Sequence, residues 1–169
     1  RADLAGRVDT LTGNLRAVYS AGSRLTITGE GYYDDRDNRT GSAEYTQVVT
    51  DSFIGSPRVN RPYSYERLGG RLIADFRPDP DTRLSAGSRA EQVKRTHQEV
   101  DKTETTEFWG ELRVTPGERL DASLRLTLEE RILVDPYSQL PDLTWEENPL
   151  LRKFHLADRD RKQARANLS

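Results

Sequence analysis

Residues 107 to 130 read EFWGELRVTPGERLDASLRLTLEE, two runs in which apolar side chains fall on every second position, joined by Thr115-Pro116-Gly117-Glu118. A helix could gather Leu120, Leu124 and Leu128 on one face, but it would turn Leu126 about 200° away from its neighbours. A strand accounts for Leu120, Ala122, Leu124, Leu126 and Leu128 together. Their opposite face is then Asp121, Ser123, Arg125, Thr127 and Glu129. Upstream, Phe108, Gly110, Leu112 and Val114 alternate with Glu107, Trp109, Glu111 and Arg113, so six of these nine polar-face positions carry a charge.

The same pattern recurs twice. In RLTITGEGYY (24 to 33), Leu25, Ile27, Gly29, Gly31 and Tyr33 oppose Arg24, Thr26, Thr28, Glu30 and Tyr32, after a run of Leu11, Gly13, Leu15, Ala17 and Tyr19. In the middle, Leu68, Gly70, Leu72, Ala74 and Phe76 lead through Pro78-Asp79-Pro80-Asp81 to Leu84 and Ala86. Beyond Gly87 the alternation weakens, because Ser88, Ala90 and Gln92 occupy the apolar positions. Each return strand opens on Arg-Leu (Arg24-Leu25, Arg83-Leu84, Arg119-Leu120), which makes the hairpin the repeating unit. Six strands in three hairpins follow. Short turns rich in Gly, Pro and Asp close the hairpins, and long polar loops at 34–64, 96–104 and 131–162 join them.

Soluble antiparallel sheets also alternate, with one face wet. Here, however, the runs reach about ten residues, the length a tilted strand needs to cross a bilayer, whereas soluble strands average about 5–6. Short turns alternate with long loops, and aromatics (Tyr19, Tyr32, Tyr33, Tyr63, Tyr65, Phe76, Phe108, Trp109) gather near run ends where interfacial girdles sit. The expected fold is all-β: an antiparallel, up-and-down transmembrane β-barrel segment spanning residues 1–169. Six strands fall short of the roughly eight of the smallest membrane barrels, so more chain must complete the wall.

Composition sets the other bounds. The chain is 34% apolar and 32% charged, but a barrel needs only alternate strand residues to face lipid. With 26 basic and 28 acidic residues and no basic stripe, nucleic acid is not an expected partner. No stretch has the roughly 18 consecutive apolar residues of a membrane-spanning helix. The absence of Met points to a processed or interior segment, and the absence of Cys excludes disulfides, thiolate metal sites and covalent haem attachment within it.

Lipid-facing candidates are Leu25, Ile27, Leu72, Phe76, Leu112, Val114, Leu124 and Leu126. Candidates for a lumen or partner surface are Arg71, Asp75, Arg89, Glu91, Glu111, Arg113, Arg125 and Glu129. Such mixed charge could line a water-filled pore or coat a polar protein held inside, and periodicity does not separate the two. His97 and His155 fall in loops without a nucleophile or carboxylate placed beside them, which argues against catalysis. Asp34-Asp35-Arg36-Asp37-Asn38 lacks the spacing of a calcium loop, and Asp158-Arg159-Asp160-Arg161 interleaves its carboxylates with cations. Asn38-Arg39-Thr40 fits a glycosylation sequon that carries no meaning on a bacterial barrel.

The tail is more specific. Residues 148 to 161, NPLLRKFHLADRDR, following Asp135-Pro136, resemble a segment of the MtrB/PioB family of decahaem-associated outer-membrane β-barrels. The residues that carry the likeness are Asn148, Pro149, Leu150, Leu151, Arg152 and Lys153, then Ala157, Asp158, Arg159 and Arg161. Tyr32-Tyr33-Asp34-Asp35, Tyr63-Ser64-Tyr65 and Arg83-Leu84-Ser85-Ala86-Gly87 are similar to the family too, although Ser88 and Ala90 stand where its members often carry aromatics. Locally the tail reads as a loop or short helix, with Leu151, His155 and Asp158 at helical spacing, leading into a strand near the C-terminus. The resemblance implies a non-enzymatic barrel in the bacterial outer membrane that sheathes a periplasmic multihaem c-type cytochrome and supports electron transfer to or from an extracellular partner, such as a second multihaem cytochrome. Haem would belong to the partner, with no cofactor or metal in this chain. The readings beside it are a solute-conducting porin and a soluble β-sandwich binding domain.

Overall fold

The computed structural model describes residues 5–45, 48–50, 53–54, 57–117, 120–136 and 156–169. Seven long strands form one antiparallel sheet: β1 (Val8–Ala21), β2 (Leu25–Asn38), β7 (Tyr65–Asp79), β8 (Thr82–Arg95), β9 (Lys102–Val114), β10 (Ala122–Leu133) and β11 (Arg159–Leu168). Each pairs with the next, so the order in space is the order in sequence. Four short strands lie in the β2–β7 connection, β3 (Glu44–Tyr45) pairing with β6 (Arg58–Val59) and β4 (Val48–Thr50) with β5 (Phe53–Ile54). No α-helix occurs among the described residues.

Strands of 10 to 15 residues follow from uninterrupted alternation with glycine confined to a few positions. At about 3.3 Å per residue a 14-residue strand is about 46 Å long, and a tilt of about 40° leaves about 35 Å along the normal, more than a hydrocarbon core requires. The tight ends are set by local chemistry. Gly22 (φ 68°) and Gly117 (φ 73°) take the left-handed conformation, available to glycine without a steric penalty. The Asp81 amide donates to Asp79 Oδ1 (3.0 Å), forming an Asx turn between β7 and β8. At the opposite end the β8–β9 connection folds back, with the Thr96 amide donating to the Ser64 carbonyl (3.0 Å) and the Arg95 amide to that of Asp101 (2.7 Å).

The sheet departs from expectation at its margins. The strand expected near the C-terminus is β11, which begins at Arg159 inside the stretch 131–162 expected to be loop, and β10 continues to Leu133. The Asp121 and Ser169 backbones bond reciprocally, extending that ladder past its last assigned pair. Likewise β2 runs to Asn38 within 34–64, and β9 starts at Lys102 within 96–104. Strand β8 does not weaken beyond Gly87. Its Ser88, Ala90 and Gln92 stay in register with Phe108, Thr106 and Glu104, because backbone hydrogen bonds on both sides hold it whatever its side chains. Asn148 to Lys153 and His155 lie outside the described residues.

A single sheet has no inside. Among the described residues only Val100 and Leu156 are buried hydrophobics, and both lie at the loop end. The surface is 12515 Å², whereas a compact monomer of 19.2 kDa exposes about 8,400 Å². Roughly half as much area again therefore faces outward, with Leu15, Leu72, Phe108, Leu126 and Leu128 each more than half exposed. In water such a surface would be a large unpaid hydrophobic term. It is stable only against an apolar medium or a partner.

Candidate functional site

Register sorts the side chains into two faces. On the apolar face one row runs Leu25, Phe76, Leu84, Leu112, Leu124, and the next runs Tyr19, Ile27, Ala74, Ala86, Gly110, Leu126. Leu72, Phe108 and Leu128 lie in the third row. All eight apolar candidates read from the sequence share this face, with Val114 beside Ala122 at its turn end. The small residues of the second row leave a shallow groove between bulkier rows. Toward the long loops the same face becomes charged, with Asp35, Glu66, Lys94, Lys102 and Glu104.

The other face holds all eight polar candidates, and it is an ion-pair lattice. Glu30 lies between Arg16 (3.4 Å) and Arg71 (2.6 Å). Glu91 accepts from Arg67 (2.6 Å), Arg89 (2.8 Å) and the Tyr32 hydroxyl. Glu129 is held by Arg159 and, at 3.9 Å, by Arg161. Asp75 takes Arg83 (2.7 Å) and the Ser85 hydroxyl (2.6 Å), Arg113 bonds Asp121, and Arg125 reaches Glu111 (3.5 Å). The carboxylates are sunk and the guanidinium groups lie above them: side-chain exposure is 9% for Glu129 and 13% for Glu91, against 42% or more for the arginines that hold them.

Cations are sorted by type. Among residues in the long-strand register, the polar face carries thirteen arginines, seven carboxylates and no lysine, whereas Lys94, Lys102 and Lys162 all fall on the other face. A planar guanidinium can share carboxylates on a crowded sheet, while a flexible ammonium stem can cross an apolar rim to reach water.

Two polar-face glycines make room for aromatic rings. A Cβ on Gly87 would lie 2.6 Å from the Trp109 ring, and one on Gly69 would collide with the Tyr32 phenol. Trp109 is capped by Arg125 at 4.2 Å and Tyr32 by Arg67 at 5.4 Å, cation–π contacts that flatten the rings on the sheet. Tyr65 donates to Asp34 (3.0 Å) on the same face. These three aromatics therefore do not belong to an outward girdle, whereas Tyr19, Tyr33, Phe76 and Phe108 lie on the apolar face. Their opposite parity was legible; the glycine seats were not.

The remaining motifs resolve into pairing. Asp34 and Asp35 point to opposite faces, and Arg39 binds Asp37 (2.7 Å) and Asp9 (3.2 Å), the hydrogen bond it donates to Asp37 raising the guanidinium's pKa above the ordinary value. Asp158 accepts the Leu133 amide (2.7 Å), and Arg159 and Arg161 continue into β11, so this part of the tail motif docks a strand. Ala157 immediately precedes Asp158, outside β11. Among the described residues no group of three His, Cys, Asp or Glu side chains could hold a metal ion, and no helix is long and apolar enough to cross a membrane, which says nothing against crossing by strands.

Long antiparallel strands without a core, one face apolar and the other charged, define a section of an outer-membrane-type β-barrel. The whole chain, residues 1–169, matches the family model described as outer membrane beta-barrel porin, MtrB/PioB. It is 30% identical over 98% of its length to "Outer membrane protein MtrB" of Shewanella baltica (strain OS185) and spans about a quarter of that relative, 24%. The chain belongs to the MtrB/PioB family of outer-membrane β-barrel proteins. Membership sets aside the soluble β-sandwich reading and places the chain in the outer membrane.

Proposed function

We propose that this chain is part of the wall of a barrel that sheathes a multihaem c-type cytochrome, its apolar face toward lipid and its arginine-rich face toward the lumen. The observation that carries this reading is the cross-strand pairing of the polar face. Carboxylates already neutralised by guanidinium groups can be covered by another polypeptide without leaving lone buried charges, the condition under which charged surfaces tolerate loss of water. The wall's contribution is positional. It would exclude lipid and bulk water from the haem chain and hold the partner in register, while the haems stay with the cytochrome and an extracellular multihaem cytochrome receives or supplies electrons.

The test is to purify the full-length protein from outer membranes in mild detergent and stain for covalent haem. A haem-stained partner that co-elutes stoichiometrically is expected. A barrel that elutes without haem and conducts ions in planar bilayers would instead favour the solute-conducting porin, which the hydrated lattice could also line.

A further inference from the structure

The register places like charges directly opposite one another on the polar face. Arg71 faces Arg89, Arg83 faces Arg113, Arg125 faces Arg165, and Arg131 faces Arg159. Like charges directly across a ladder destabilise a sheet, yet this arrangement occurs at four places, against one acidic counterpart, Glu107 with Glu129. In the pair Arg71 and Arg89 each side chain turns away to its own carboxylate, Glu30 or Glu91. Each of those carboxylates already serves a second arginine. Two guanidinium groups thus share each negative charge, the carboxylates are sunk, and the surface offered outward is cationic.

The excess is localised. In the rows crossing the strands at this height, the triads on Glu30, Glu91 and Glu129 gather two arginines each, Glu107 is offset by Arg131 in the next row and Asp34 faces Arg67, so seven arginines stand against five carboxylates. The neighbouring row, from Val18 and Thr28 through Ile73, Gly87 and Trp109 to Thr127, is uncharged. With strands about 4.8 Å apart, the belt spans about 29 Å of wall, the scale of a protein surface rather than of one small anion.

We propose that this arginine belt is a docking surface for the aspartate- and glutamate-rich face of an acidic polypeptide held in the lumen, each opposed arginine pair receiving one incoming carboxylate. The inference rests on the reading that the polar face looks into an occupied lumen and adds to it the charge of the occupant. Arginine rather than lysine fits the task, since a guanidinium can keep its internal carboxylate while presenting a second N–H edge to an external one.

The test uses the full-length barrel in detergent, with fluorescent poly-L-glutamate as the probe and poly-L-lysine of equal length as its counterpart. Poly-L-glutamate is expected to bind in a salt-dependent manner, and Arg71→Gln with Arg89→Gln to weaken it by about tenfold. Lys94→Gln with Lys102→Gln, an opposed lysine pair on the other face, removes the same charge and should leave binding unchanged. Preferred binding of poly-L-lysine, or equal loss in both double variants, would overturn the proposal. Inorganic phosphate competing beyond its ionic-strength effect would do the same, by assigning the belt to small anions. If the first double variant loses heat-modifiable mobility, Arg131→Gln with Arg159→Gln, the other opposed pair in the belt, takes its place. Haem co-elution is read separately, so a barrel that retains a cytochrome yet ignores poly-L-glutamate fails this inference alone.

Discussion

Leu124 and Arg125 are neighbours in sequence and lie on opposite sides of a sheet one residue thick. Leu124 stands in an apolar row between Leu112 and Ala166; Arg125 stands over Trp109 and reaches Glu111. In a soluble domain one of these faces would pack on a core. Here both are surfaces, and the difference between them is one of polarity: one is a row of exposed apolar side chains, the other a lattice of fixed charge. The comparison teaches that most of this chain's stability must come from what surrounds it, with the ladder hydrogen bonds supplying continuity.

The largest expected effect tests the facing itself. Leu124→Arg should destabilise the inserted full-length barrel by about 2–4 kcal/mol, read as a lower urea midpoint for unfolding from lipid vesicles, whereas Arg125→Leu should cost about 1 kcal/mol or less. Equal shifts would mean that the two faces are not divided between lipid and lumen. Next come the glycines, one from each face. Gly87→Val drives a side chain into the Trp109 seat and should cost about 1–3 kcal/mol, read by the same urea titration. Gly110→Ala, whose Cβ would meet nothing within 4 Å, should leave stability within about 0.5 kcal/mol.

A smaller effect separates a shared carboxylate from an outlying ion pair. Asp75→Asn leaves Arg83 without its anion while Ser85 keeps a partner, and should cost about 1 kcal/mol, measured by the same urea titration. Lys94→Gln breaks the exposed pair with Glu66 and should shift the midpoint by less than about 0.5 kcal/mol. An inverted order would show that the loop end, rather than the arginine-rich face, carries the electrostatic stability.

The strands with leucine on every second position announced themselves because a period of two admits one backbone conformation. The last strand was legible only as a strand near the C-terminus, with no alternation to mark where it starts. In RDRKQARANL the apolar face is Asp160, Lys162, Ala164, Ala166 and Leu168, which carries almost no hydrophobic contrast. It is a strand because β10 offers an edge of unpaired amides and carbonyls that must be satisfied. Trp109 and Tyr32 were legible as polar-face residues by parity, but the glycines on which they rest come from neighbouring strands, and nothing local couples 109 to 87 or 32 to 69.

By itself the sequence determined that this chain makes a wall. Alternation sets which side chains share a face, and hydrophobicity sets which face avoids water. Only the tertiary structure decided which residues meet across strands, because register depends on long-range ladder pairing. It set arginine against arginine, placed each shared carboxylate beneath its guanidinium groups, and sorted arginine from lysine onto opposite sides of the sheet.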